Sequence, residues 1–200
     1  MRVKTPLALP GQCIGIMGGS FNPVHEGHRI VAETAMKRLG LDQLWWAVTP
    51  GNPLKEHNGL APLANRMAAC ASMARNPRMK ITAFESQLGS PYTAVTLSFL
   101  TNRYPACRFV WVMGADNLAS FHRWQNWHSI AASMPIAVVD RPGWRHRALA
   151  SLAAGALSRA RISEAGAKTL YKHKTPAWVF LTSRLSNLSS TVLRSRKTGA

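Results

Sequence analysis

Cys13-Ile14-Gly15-Ile16-Met17-Gly18-Gly19-Ser20-Phe21-Asn22-Pro23-Val24-His25-Glu26-Gly27-His28 is the stretch on which the fold reading turns. Its opening residues form a short apolar run, as a buried strand does; two glycines then make a turn, and Ile30-Val31, Ala35-Met36 and Leu39 recur at near-helical spacing. A strand, a glycine turn and a helix make the opening unit of an open α/β sheet, where ligands lie outside the carboxyl ends of the strands. Gly18 and Gly19 permit close backbone approach at that edge. After Pro23, the helix directs its positive end and unpaired N–H groups into the same space, which suits a triphosphate. His25 and His28, three residues apart on a first helical turn, share one face and can donate to phosphate oxygens together. Taken singly, each histidine reads equally well as a helix cap, and a metal pair ranks low because the spacing offers no third ligand.

Outward from this unit the same alternation continues. Strands are expected at Leu44 to Val48, Met79 to Ala83, Arg108 to Met113, Pro135 to Val139 and Ala177 to Leu181, with helices at about Leu63 to Ala74, Thr93 to Arg103 and near Asn126 to Ala132. The loop from Pro50 to Pro62 is rich in Pro and Gly. The stretch from Arg141 to Lys174, rich in Ala, Arg and Lys, reads as helical. The expected fold is therefore α/β: a Rossmann-like, doubly wound, mostly parallel sheet with helices on both faces, in a single domain spanning 1–200.

With 200 residues and 46% hydrophobic content, the chain can bury a sizeable core. Twenty-five Lys and Arg against 8 Asp and Glu leave a net charge of +17, which favours contact with polyanions. A weak nucleic-acid contact is therefore an alternative reading, carried by Arg141, Arg145, His146, Arg147, Arg159, Arg161, Lys168, Lys172 and Lys174, although no nucleic-acid motif accompanies them. Cys13, Cys70 and Cys107 form no C-x-x-C pair and read as reduced core residues of a cytoplasmic protein. Pro6 and Pro10 interrupt the apolar start that a signal peptide needs, and no uncharged apolar run reaches the roughly 18 residues of a membrane span.

Gly18 through His28 resembles the G-G-[ST]-F-[DN]-P-[VI]-H-x-G-H signature of the H-x-G-H nucleotidyltransferase superfamily, and is similar more narrowly to the bacterial nicotinate mononucleotide adenylyltransferases. The resemblance implies transfer of AMP from ATP to nicotinate mononucleotide, releasing pyrophosphate and forming deamido-NAD. At the other end, Leu188-Ser189-Ser190-Thr191-Val192-Leu193-Arg194 resembles the family's I-S-S-T-x-[IL]-R helix start. Hydroxyls and free N–H groups at a helix start hold phosphate oxygens, and Arg194 adds a fork of donors for departing pyrophosphate. An ordinary Ser/Thr cap with a solvated arginine is the plainer reading.

By the same resemblance, Gly18, Gly19, Ser20, Phe21, His25, His28, Gly114, Asp116, Ser189, Ser190, Thr191 and Arg194 are ATP-side residues, of which His25, His28 and Arg194 are catalytic. Asp116, ending Gly114-Ala115-Asp116, is the candidate for a nucleotide ribose, with a helix N-cap as its alternative. Lys55, Tyr92, Thr93, Asp116 and Trp124 are implied for nicotinate mononucleotide: Lys55 for its phosphate, Thr93 near the carboxylate, Trp124 stacked on the pyridine ring. Trp127 reads as packing. Val95 stands where the family usually has Asp, and Leu54 where it has His. No protein metal site is expected; Mg²⁺ would be carried mainly by ATP phosphates. The expected partners are ATP and nicotinate mononucleotide, with no membrane, in a monomer or homodimer.

Overall fold

In the computed structural model, residues 4–50, 59–90 and 92–183 are described. The strands are β1 (Cys13–Gly19), β2 (Gln43–Val48), β3 (Met79–Thr82), β4 (Arg108–Gly114), β5 (Ile136–Val139), β6 (Arg161–Ile162) and β7 (Trp178–Leu181). They form one sheet in the order β3-β2-β1-β4-β5-β7-β6, and all six pairings are parallel. The chain winds outward from β1 through β2 to β3, then returns to place β4 on the other side of β1. The crevice between β1 and β4 is thus the topological switch point, where open α/β sheets bind ligands.

Side chains alternate across the sheet, and both faces are covered. Trp46 and Val48 of β2, Val110 and Val112 of β4, and Val179 and Leu181 of β7 enter one apolar cluster. Their neighbours Trp45, Ala47, Phe109, Trp111, Met113, Trp178 and Phe180 enter the other. This is why the strands read as continuous apolar runs, as parallel strands buried on two faces do. Helix α1 (Glu26–Leu39) closes the first face with Val31, Ala35, Met36 and Leu39, and ends on Gly40 at φ 66°, a left-handed cap that glycine takes without strain. Helix α2 (Leu63–Met73) lies over β2 and β3. On the second face, α3 (Thr93–Arg103) contributes Leu97 and Leu100 and packs against α5 (Trp127–Ser133).

Two features depart from the sequence reading. A helix, α4 (Ala115–Ser120), begins directly at the end of β4, earlier than the start that Asp116 as an N-cap would give. The stretch from 141 to 174 is not one helical region: it holds two five-residue helices, α6 (Arg145–Leu149) and α7 (Leu152–Ala156), then 3-10 turns and the edge strand β6. Pro142-Gly143, with Gly143 at φ 73°, and Gly155 punctuate it, and β6 is too short to leave a period-two pattern. Among the described residues no helix is long and apolar enough to cross a membrane.

Candidate active site

The histidines are set by the start of α1. His25 is its N-cap, in extended backbone, and its Nδ1 accepts from the Gly27 N–H at 3.1 Å. His28 returns the favour: its Nδ1 accepts from the His25 N–H at 3.2 Å. A capping box normally built from Ser or Thr with Glu is here built from two imidazoles. The cap reading and the phosphate reading of these residues are therefore compatible, since each ring uses only one nitrogen for the backbone. A ring nitrogen that accepts carries no proton, so Nδ1 of each ring is the unprotonated nitrogen and a ring proton sits on Nε2, across the ring from the backbone it caps. The two rings lie 3.9 Å apart, centroid to centroid, tilted by 34°.

His25 is 3% exposed. Burial, helped by the nearby Arg141 charge and opposed by Asp116, lowers its pKa from 6.5 to about 4. It is thus a neutral donor across the physiological range. Phe21, expected on the nucleotide, is 2% exposed; its ring lies edge-on to His28 at 5.0 Å and stacked on Trp46 at 5.4 Å. That ring supports His28 from beneath instead of offering a face to a ligand.

The floor of the crevice is made by close approach. A Cβ on Gly18 would lie 2.7 Å from Cη2 of Trp111, so β1 can pass over that indole only as glycine. Trp111 in turn meets Trp124 edge-on at 6.3 Å, which connects the glycine turn to the residue expected beneath the pyridine ring. Trp127 packs edge-on against Phe121, as expected of a core residue. Tyr92 and Thr93 open α3, which packs against the helix following Trp124, so both acceptor-side candidates lie on the Trp124 face of the sheet.

At the end of β4, Gly114 takes the N-cap position of α4, which displaces the alternative reading of Asp116 as that cap. Asp116 instead pairs through Oδ2 with Arg141 Nη1 at 2.9 Å. Its Oδ1 is buried and has no hydrogen-bond partner among the described residues, an acceptor suited to a ribose hydroxyl. A side chain at position 114 would lie 2.4 Å from that oxygen and 2.8 Å from Arg141 Cδ, so this glycine too is required by close approach.

Arg141 escaped the sequence reading as a site residue and was grouped with the basic surplus. The available signal was its place two residues after β5, at the same sheet edge as Asp116. The rest of the basic cluster divides as well: Arg145 pairs with buried Asp140, Arg161 lies over Trp178, Arg147 over Trp144 and Lys172 over Tyr171. Lys55 and Leu54, and Ser189, Ser190, Thr191 and Arg194, lie outside the described residues.

Comparison with known proteins agrees with this geometry. The cytidylyltransferase-like family model matches residues 16–196. A Rhizobium meliloti protein named "Probable nicotinate-nucleotide adenylyltransferase" is 59% identical, over 93% of this chain and 99% of its own length. The chain belongs to the nicotinate-nucleotide adenylyltransferase family. A member from Methylorubrum extorquens, named likewise, is 54% identical over 92% of this chain and 99% of the relative. The nicotinic acid mononucleotide adenylyltransferase of Plasmodium falciparum, solved in complex with NaAD, aligns with a TM-score of 0.69 over 92% of this chain and 83% of that one; at 17% identity this likeness speaks for the family fold alone.

Proposed function

We propose that this chain transfers AMP from ATP to nicotinate mononucleotide, giving deamido-NAD and pyrophosphate. The observation that carries the reading is the pair of backbone-capping imidazoles of His25 and His28, 3.9 Å apart beside the glycine turn at the switch point. The reaction needs no protein nucleophile, because the mononucleotide's own phosphate oxygen attacks the α-phosphorus while pyrophosphate leaves in line. Catalysis then rests on position and on stabilising charge that develops on phosphate oxygens. His25 and His28 donate to those oxygens, Gly18 and Gly19 give room for the phosphates, and the Asp116 carboxylate accepts from a ribose hydroxyl.

On the resemblance, Ser189 to Thr191 and Arg194 take the leaving pyrophosphate, Lys55 the mononucleotide phosphate, Thr93 its carboxylate and Trp124 its ring. A helix N-terminus such as that at Tyr92 and Thr93 favours an anion over a neutral amide. Mg²⁺ would supply charge neutralisation and would be carried by the nucleotide. The three cysteines, of which Cys13 and Cys70 are buried, are free, which suits a cytoplasmic enzyme.

The decisive experiment follows pyrophosphate release with Mg²⁺ and ATP, offering nicotinate and nicotinamide mononucleotides in parallel and CTP as the rival donor. Turnover selective for ATP and the acid is expected. Comparable rates with the amide would remove the acid specificity, and no release with any pair would remove the transferase reading.

A further inference from the structure

Arg66 is a buried arginine on α2, 3% exposed, at helical spacing from Leu63 and Cys70. An apolar side chain at that place would pack α2 against the sheet as its neighbours do. Burying a guanidinium instead is costly unless every donor is met. Among the described residues no ion pair meets it. Its partners are backbone carbonyls from three separate segments. Nη1 donates to Ser20 O at 2.8 Å and to Thr49 O at 2.7 Å, Nη2 to Pro50 O at 3.4 Å, and Nε to Ala61 O at 2.8 Å.

Those carbonyls have functional addresses. Ser20 belongs to the turn that carries His25. Thr49 and Pro50 follow β2, where the chain leaves toward residue 51, and Ala61 lies just after it returns at residue 59. Asn22 makes the same connection from the turn itself, donating from Nδ2 to Gly59 O at 3.0 Å and accepting at Oδ1 from the Ala61 N–H at 3.3 Å. Thr49 N–H also donates to Gly19 O at 2.9 Å. Both approaches to the 51–58 stretch are thereby fixed to the histidine turn, through a planar fork that holds several acceptors at set angles.

We propose that Arg66 is a positioning residue for the transfer step. It sets the spacing between the turn that grips the ATP phosphates and the two chain segments beside it, at Thr49-Pro50 and at Ala61, so that the α-phosphorus is presented in line to the attacking oxygen. This rests on the adenylyl-transfer reading above. In-line displacement is sensitive to placement, and an error of about 1 Å costs on the order of 100-fold in rate. The signature is therefore a loss in kcat with little change in the affinity for either substrate alone.

Arg66→Lys tests this, since it keeps the charge and the aliphatic stem but replaces the fork by a single ammonium. Expected is a fall in kcat on the order of 100-fold, with KM for ATP and for nicotinate mononucleotide each within about threefold of the parent, as for an interaction made only in the transition state. Asn22→Ala, which removes the other connection, should lower kcat by about tenfold, and the double variant should lose less than the product of the two, because both hold one junction. Unchanged kcat in Arg66→Lys beside a lowered melting temperature would reduce Arg66 to a purely structural role and overturn the proposal. So would a rise in either KM at constant kcat. Should Arg66→Lys fail to fold, Asn22→Ala alone decides, and unchanged kcat there overturns it. Pyrophosphate release by the parent chain, measured alongside, separates failure of this proposal from failure of the adenylyl-transfer reading.

Discussion

The two helix starts that face the crevice differ in how they are finished. At α1, His25 and His28 satisfy each other's backbone, and the turn before them is fastened by Arg66 and Asn22 to the segments on either side. At α3, Tyr92 holds the N-cap position without any side-chain cap, and Tyr92 and Val95 are each 40% exposed. Its first turn is tied down from below, where Thr96 Oγ1 donates to the buried Glu85 carboxylate at 2.8 Å. The donor side is thus organised by the chain's own hydrogen bonds, while the acceptor side presents an open helix start. Preorganised donors act mainly on the chemical step, whereas an open helix start acts mainly on binding.

The hardest test of that contrast is His28→Ala, for which kcat should fall on the order of 100-fold or more, as when one donor to developing charge is removed. Thr93→Ala should act mainly on KM for the mononucleotide. Steady-state kinetics on both substrates would read this, and an equal kcat loss at Thr93 would break the contrast.

Gly18→Ala probes the packing beneath the donor side. The added methyl must displace Trp111, and overpacking of this kind costs about 1–3 kcal/mol. A lowered urea midpoint should accompany weakened ATP binding; a stable variant with normal ATP affinity would show that the indole moves freely.

On each side one buried group has a shifted pKa within the working pH range, and the two act on stability with opposite sign. His25 keeps a pKa of about 4 against 6.5 when unfolded, so the unfolded chain binds the extra proton and stability is lost as pH falls from about 6.5 toward 4. Glu85 is raised by burial from 4.5 to about 7, partly offset by the Thr96 hydrogen bond, so the native chain binds the extra proton. Its contribution is complete below 4.5 and lost as pH rises through 7. Between about pH 4.5 and 6.5 the two slopes oppose each other, so the parent's urea midpoint should be nearly level there, and Glu85→Gln should uncover the rise with pH that His25 alone produces. A midpoint that stays level in Glu85→Gln would place the opposing slope elsewhere.

The smallest effect is expected at Val95→Asp. A carboxylate at the third residue of α3 interacts favourably with the helix start, by about 0.3–1 kcal/mol, a rise of roughly 1–3 °C in melting temperature for a chain of this size. The same negative charge near Thr93 should raise KM for the acid acceptor, so a stabilised variant that binds the acid more tightly would contradict the open-start picture.

The parallel sheet was legible because its central strands are buried on both faces and therefore leave unbroken apolar runs. The histidine turn was legible because its chemistry is contiguous in sequence. Contacts made across the fold were not. Asp116 and Arg141 are 25 residues apart, and Arg66 looks like one more surface cation until its four carbonyls are seen. Its position on the apolar stripe of α2 was the one local sign. Short elements such as β6 and α4 left no periodic signal because two to six residues are too few to show a period.

One consequence of the imidazole capping box reaches beyond catalysis. His25 completes a helix and, on the proposed mechanism, also touches the substrate, so a mutation there is exposed twice, once through folding and once through turnover. A population of variants screened only for solubility would already be enriched in chains that keep this ring. Selection for a well-started α1 would by itself preserve part of the reaction centre, even through periods when the product was not needed.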